Sequence, residues 1–149
     1  MSQTTTKINA CDLSLWLDNA AGTPVDISGS SNKVGMTFSL ETGEMATFQT
    51  HWKVRTQCLK DVAIACRAVY STASDEALDI LKNWFFAATP GARTFSAYLP
   101  DKNVGSDHYY GEVVLDGFNF DGDVTSPNPI AVEFNLLPDG EFHWTTATT

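Results

Sequence analysis

The residues best suited to acid–base chemistry or metal binding are three histidines, and their spacing argues against both roles. His51, His108 and His143 lie far apart in the sequence, with no cysteine or carboxylate at the spacing of a metal motif. We therefore interpret them as imidazoles on the surface or on edge strands. Carboxylates are plentiful, but nothing in the sequence selects two of them as a general acid and a general base.

Short catalytic and cofactor motifs are also missing from the sequence. It contains no Gly-x-Ser-x-Gly, His-Glu-x-x-His, phosphate loop or Gly-x-Gly-x-x-Gly. Asp121-Gly122-Asp123 is similar to the start of a calcium loop, but the later acidic positions and the closing glutamate are absent, which favours a plain turn. The sequence thus predicts a protein that is not an enzyme and that has no cofactor and no metal site.

Cysteine usage and the first residues predict the compartment. The three cysteines, Cys11, Cys58 and Cys66, form no Cys-x-x-Cys pair, which favours reduced structural thiols. Residues 1–7 are polar, unlike a secretory signal, and no apolar run approaches the ~20 residues of a membrane helix. We expect a chain that is made in a cytoplasm-like compartment and does not insert into a membrane.

The balance and placement of charge restrict the partners. The 149 residues carry 18 acidic and 9 basic side chains, for a net charge of −9. This disfavours binding to a nucleic acid backbone, because affinity for phosphate comes mainly from Lys and Arg. Residues 104–149 contain no Lys or Arg, whereas residues 51–67 are rich in them. Either this is an ordinary solvated surface, or opposite patches bring copies of the chain together in rings or filaments.

Hydrophobic alternation with period two dominates the chain and predicts strands with one face on a core. Residues 109–120 form a weaker strand candidate, in which the apolar face changes at Asp116-Gly117, as a bulge would cause. Residues 94–99 are a second weak candidate. The clear alternating segments are 13–17, 34–40, 62–70 and 130–136.

Residues 74–86 break this rule with helical spacing of their apolar residues, and Ser74 is the predicted N-cap. Residues 1–149 therefore read as a single domain, an antiparallel β-sandwich or barrel with one flanking α-helix. Residues 1–7 are expected to form a flexible arm. Residues 41–59 are predicted to be a long extended loop, because they are polar and turn-like and exceed the usual length of a hairpin connection.

This loop carries large apolar side chains, namely Met45, Phe48 and Trp52. On an isolated monomer such side chains would be partly exposed, which often marks an interface. The alternative is an arm that folds back over its own core.

Three short motifs in and around this loop resemble the major tail protein of long-tailed bacteriophages. That family shows a strand, an acidic turn, a Thr-x-Phe with a Trp a few residues on, and a Leu-Lys-Asp that leads into the next strand. One helix and further strands follow, and the resemblance covers roughly residues 8–146. The motifs are Phe38-Ser39-Leu40-Glu41, Thr47-Phe48-Gln49-Thr50-His51-Trp52-Lys53 and Leu59-Lys60-Asp61.

The resemblance implies a structural virion protein. Such proteins are β-sandwiches with a flanking helix; six copies form a ring whose sheets join into an inner barrel, and the rings stack into the tail tube. A long loop reaches into the next ring, and the genome passes through the bore during ejection without specific binding. The implied partners are other copies of the chain, a tape-measure protein, a tail-tip initiator complex and a tail terminator protein, first in the host cytoplasm and then in the virion tail.

Two sets of residues follow as candidates for these roles. The acidic balance suits a bore through which DNA slides. With few Lys or Arg side chains, contact with DNA releases few counterions, and counterion release is what drives DNA to bind.

The alternative function is a soluble β-sandwich that binds carbohydrate or peptide through exposed Trp and Tyr. The expected inter-ring contacts are Met45, Phe48, Trp52, Lys53, Arg55 and Lys60, and the expected lining residues are Thr37, Ser39, Glu41, Glu133 and Asn135.

Overall fold

The computed structural model describes residues 8–49, 51–99 and 105–147, so the predicted flexible arm at residues 1–7 lies outside the described residues. These residues form seven strands, one α-helix and a short 3-10 helix (Ala10–Asp12). None of the helical structure they contain is long and apolar enough to cross a bilayer. The longer elements are β1 (Ser14–Asp18), β2 (Pro24–Asp26), β3 (Ser31–Met45), β4 (Val54–Val69), α1 (Ala77–Phe85), β5 (Arg93–Leu99), β6 (Asp107–Asp121) and β7 (Ala131–Thr146).

The strands form one antiparallel sheet in the order β2-β1-β5-β6-β7-β4-β3, so the mainly β fold with one helix is confirmed. The sheet does not close, because β2 and β3 remain at its two ends. Its middle strands change partners along their length. Residues 107–113 of β6 pair with β5, whereas residues 131–136 of β7 pair with β4.

This change of partners divides the sheet into two layers that share β6 and β7. The front layer comprises β3, the second half of β4, the first half of β7 and residues 115–121 of β6. The back layer comprises β2, β1, β5 and the remaining halves of β6 and β7. The two layers and α1 enclose one buried cluster, which includes Leu17, Phe95, Ile64 and Trp84.

The register shifts where the chain passes from one layer to the other. One irregularity lies between Leu115 and Gly117, which confirms the predicted bulge. A second lies between Gly111 and Val113, where β7 accommodates extra residues around Gly140, whose φ is 97°. At Gly111 a Cβ atom would lie 2.8 Å from the Phe142 ring. The close approach of β7 therefore requires glycine at this position.

The alternating segments produce most of the core as predicted, but in segment 34–40 the prediction is wrong for Phe38 and Leu40, which are 58% and 37% exposed because they lie where β3 leaves the body of the protein. Along β4, Val62, Ile64, Cys66 and Ala68 are buried while the residues between them are exposed. The helix begins at Ala77 rather than near Ser74, and Glu76 is the N-cap without a side-chain hydrogen bond. The prediction of Ser74 as N-cap is wrong because Asp75 has a φ of 59°, which turns the chain just before the helix.

Candidate assembly surfaces

β3 and β4 continue past the body of the protein as a two-stranded ribbon, which we define as residues 40–60. The two strands stay paired from Leu40↔Lys60 to Met45↔Val54. Every described residue from 37 to 61 is exposed. The predicted long extended loop at residues 41–59 is for the most part this ribbon: residues 41–45 and 54–59 belong to β3 and β4, and the described residues among 46–53 lie outside the strands.

The end of the ribbon carries large apolar side chains that none of the described residues covers. Phe48 is fully exposed, Trp52 is 87% exposed and Met45 is 59% exposed. An arm folded back on its own core would bury these side chains, so that alternative is wrong. Exposed apolar groups at the end of a projecting element are typical of a surface that meets another molecule.

The basic residues of the ribbon are less available than the sequence suggests. Lys53 Nζ lies 3.5 Å from Glu44 Oε2, and Arg55 Nε lies 3.6 Å from Glu44 Oε1. All three side chains are more than half exposed, so these ion pairs contribute little to stability. The pairing halves the net positive charge that Lys53 and Arg55 would present, and Lys60 lies at the base of the ribbon.

The front layer has two open edges. β3 is an end strand of the sheet, and its outer side has no strand partner among the described residues over its 15 residues. Residues 115–121 of β6 pair with β7 on one side only, because the pairing of β5 with β6 ends at Arg93↔Val113. Open edges are rows of unpaired backbone N–H and C=O groups that another chain can pair with.

The outward face of the front layer collects four of the five predicted lining residues. Thr37 and Ser39 on β3 lie opposite Ala63 and Asp61 on β4. These side chains are all exposed, on the side of the layer that faces away from the core. Glu41 also lies on β3, but beyond the irregularity between Leu40 and Thr42.

On β7, Glu133 and Asn135 extend the same face. Glu133 lies opposite Arg67 with 3.9 Å between Oε1 and Nε, and Asn135 lies opposite Ala65. Asn119 of β6, which lies opposite Glu133, belongs to this face but was not among the predicted residues. Only the register between strands could have identified it, because β6 changes its apolar face at the bulge.

The acidic segment around Asp123 forms a turn. The Asp123 carboxylate accepts hydrogen bonds from the backbone N–H of Thr125 (2.9 Å) and from its hydroxyl (2.8 Å). These bonds lower the pKa of Asp123. Within the parts of the chain that the structure describes, no group of three or more His, Cys, Asp or Glu side chains could hold a metal ion.

No protein-family model matches the sequence, and no curated protein sequence matches it. Solved structures do match. The chain aligns with a chain from the tail of an empty gene transfer agent particle, solved with C6 symmetry, with a TM-score of 0.70 and 17% identity over 92% of this chain and 98% of that one. It aligns with the SPP1 tail tube with a TM-score of 0.75 and 10% identity over 94% and 80% of the two chains.

A further match is to a chain of the anti-feeding prophage baseplate, with a TM-score of 0.74 and 10% identity over the full length of both chains. These structures share the arrangement of nearly the whole chain at sequence identities of 10–17%. The chain therefore has the fold found in the SPP1 tail tube and in the tail of the gene transfer agent particle.

Proposed function

We propose that this protein is a structural subunit of a phage tail tube. Identical copies form hexameric rings, the rings stack into a tube in the virion tail, and the tube is the conduit for genome ejection. The observation that carries the proposal is the front layer, which has an open strand edge on each side and a ribbon projecting from its end. The tail tube fold of the aligned structures supports the same role.

Ring closure follows from the direction of the strands. β3, β4, β7 and β6 alternate in direction across the front layer, so rotation about an axis along the strands places β3 of one copy antiparallel to β6 of the next. Pairing these edges removes both of them and makes a continuous barrel. Six copies agree with the six-fold symmetry of the gene transfer agent tail and of the anti-feeding prophage baseplate.

In such a ring the outward face of the front layer lines the bore, because α1 and the core cover its other face. The lining then contains Thr37, Ser39 and Asn135, with Glu41 near one end. The Arg67–Glu133 pair cancels its own charge, and Lys33 and Asp61 on the same face carry one charge of each sign. A polar lining with few free cations would let DNA or a tape-measure protein slide. For DNA the reason is that contact between this lining and the phosphates would release few counterions.

The ribbon supplies the contact between rings. It projects from the body, and Met45, Phe48 and Trp52 lose water only if another molecule covers them. Burial of an aromatic side chain stabilises such a contact by about 1.5–3 kcal/mol. Lys53, Arg55 and Lys60 would add a salt-sensitive attraction, since copies of this chain carry a net charge of −9. A tip initiator and a terminator would cover the two ends of the tube during assembly in the host cytoplasm.

The test is Trp52→Ala compared with Val124→Ala, an exposed residue in the loop between β6 and β7. We expect Trp52→Ala to remain folded by circular dichroism and to form rings that do not stack. Wild type and Val124→Ala should form tubes in negative-stain micrographs of concentrated protein with the initiator complex. Wild-type protein that stays monomeric with the initiator present would contradict the proposed function. If Trp52→Ala forms tubes of wild-type length, the ribbon does not make the contact between rings.

A further inference from the structure

An aromatic patch lies beside the open edge of β6, and we define it as Phe85, Phe86, Phe118 and Phe120. Phe85 and Phe86, at the end of α1, are 53% and 76% exposed, and Phe120 is 54% exposed. The Phe85 ring lies 5.1 Å from that of Phe86 and 5.6 Å from that of Phe118, in edge-to-face contacts. In a monomer these rings stay in contact with water, so the favourable free energy of burying such an apolar cluster is not gained.

An apolar mouth opens at the other side of the front layer, where the sheet fails to close between β3 and the back layer. It encloses about 220 Å³, and Phe38 at its margin is 58% exposed although it contacts Tyr109 and Phe142. Nearly all of its lining is apolar. The side chains that line it include Leu13, Val34, Met36, Phe38, Leu99 and Tyr109.

The patch and the mouth lie on the same face of the front layer and at the same height. The register pairs Val34 with Cys66, Cys66 with Phe134, and Phe134 with Phe118. Cys66 and Phe134 are buried in the core, so Val34 and Phe118 at the two ends of this row also point to the core side. One copy therefore offers aromatic rings at one edge and an apolar cavity at the level of those rings at the other edge.

We propose that the aromatic patch of each copy enters the apolar mouth of the next copy around the ring, so that the cores of neighbouring copies become continuous. This inference rests on the proposed function, because it is the pairing of β6 with β3 of the next copy that joins the two surfaces. Strand tilt in a barrel staggers the neighbours by a few residues, and the mouth extends along β3 from Val34 to Phe38. Met36 supplies a thioether, which packs favourably against aromatic rings.

The occupant of the mouth is thus a second copy of this chain. The contact is heterologous, since the patch and the mouth are different surfaces of one molecule, and a heterologous contact repeats around a ring until the ring closes. A different protein on the outside of the tube, such as a sheath, is the competing occupant of the patch. The two occupants differ in one measurable respect, because only the first is needed for ring formation.

The test uses Phe86→Glu, with Val124→Glu as the control for an added charge at an exposed apolar residue. Phe86 contacts Phe85 at the surface, so the variant should remain a folded monomer. We expect it to form neither rings nor tubes, with at least a tenfold loss of assembled protein in sedimentation velocity and negative-stain microscopy. Val124→Glu should assemble like wild type. The result differs from that expected for Trp52→Ala, which should still form rings.

A folded Phe86→Glu protein that assembles at wild-type yield would overturn the inference while leaving the proposed function intact, and it would assign the patch to an outer partner. Wild-type protein that forms no rings would count against both. If Phe86→Glu does not fold, the milder Phe86→Ser serves as the second variant, and it should lower ring yield at least threefold; unchanged yield would overturn the inference in the same way.

Discussion

The two halves of β4 form one continuous strand and yet lie in different surroundings. From Val62 to Val69 every second side chain is buried, whereas from Val54 to Asp61 every side chain is exposed. Residues 64–69 are flanked by β3 and β7, whereas the part of β4 before residue 64 pairs only with β3. A strand can therefore be completed partly within its own chain and partly, we propose, by neighbouring copies.

The largest expected effect is a loss of stability on substitution of a residue that packs beside the buried half of β4. Phe134 is 1% exposed and lies opposite Cys66 in the buried part of the sheet. We expect Phe134→Ala to lower the free energy of unfolding of the monomer by about 3–5 kcal/mol, since it leaves a cavity in the core. Phe48→Ala at the fully exposed ribbon end should change it by less than about 0.5 kcal/mol. Urea unfolding of both variants checks the contrast, and equal losses would mean that the ribbon belongs to the folding unit.

A smaller effect is expected where the chain crosses between the layers. A Cβ at Gly111 would lie 2.8 Å from Phe142 Cδ2 and 3.3 Å from the Glu141 carbonyl oxygen, whereas a Cβ at Gly117 would meet nothing within 4 Å. We expect Gly111→Ala to cost about 1–3 kcal/mol through overpacking. Gly117→Ala, on the outward face, should be neutral within about 0.5 kcal/mol. Thermal unfolding of Gly111→Ala and Gly117→Ala measures the difference. Equal melting temperatures would contradict the close approach of β7 to Gly111.

The smallest change in stability is expected from labelling a thiol on the ribbon. Cys58 is exposed on the ribbon half of β4, and Cys66 is buried on the other half. Burial raises the pKa of Cys66 to about 12. Its thiol therefore stays protonated in the folded state near pH 8, and the thiolate is the reactive species.

Titration with a thiol reagent at pH 8 should therefore modify Cys11 and Cys58 rapidly and Cys66 only after unfolding, with the melting temperature unchanged by the label on Cys58. Folding favours the protonated thiol of Cys66, because burial raises its pKa. The stability that this protonated thiol contributes is therefore complete at neutral pH and is lost as the pH rises from about 9 toward 12. Fast modification of all three thiols in folded protein would show that the buried half of β4 opens readily.

The same contrast explains what the sequence could predict. Alternation revealed the buried halves of β4 and β7 and the half-buried start of β3, because a solvent face and a core face differ in polarity. It missed the strands of the ribbon, since both faces of Thr42–Met45 and Val54–Gln57 meet solvent and no polarity difference arises. The helix was found through its apolar stripe, but its start was misplaced because a backbone turn at Asp75, rather than a capping side chain, sets it.

The assembly surfaces were partly predictable for a related reason. The polar, turn-like character of the surrounding residues predicted that Met45, Phe48 and Trp52 would be exposed, and the described residues leave them uncovered. The aromatic patch and the apolar mouth were missed, because each contains residues that look like ordinary core positions in the sequence. Only the register, which places Phe118 at the level of Val34, shows that they stand at open edges.

The four-strand front layer would also fix how the width of the proposed channel can vary. Neighbouring strands lie ~4.8 Å apart, so each added subunit would lengthen the circumference by about 19 Å and widen the channel by about 6 Å. At a given strand tilt, the backbone diameter of the proposed tube would therefore change only in steps of one subunit, while the open width would also depend on the size of the lining side chains. Rings with the same number of subunits would share one backbone diameter, so each new ring would match the ring on which it was built.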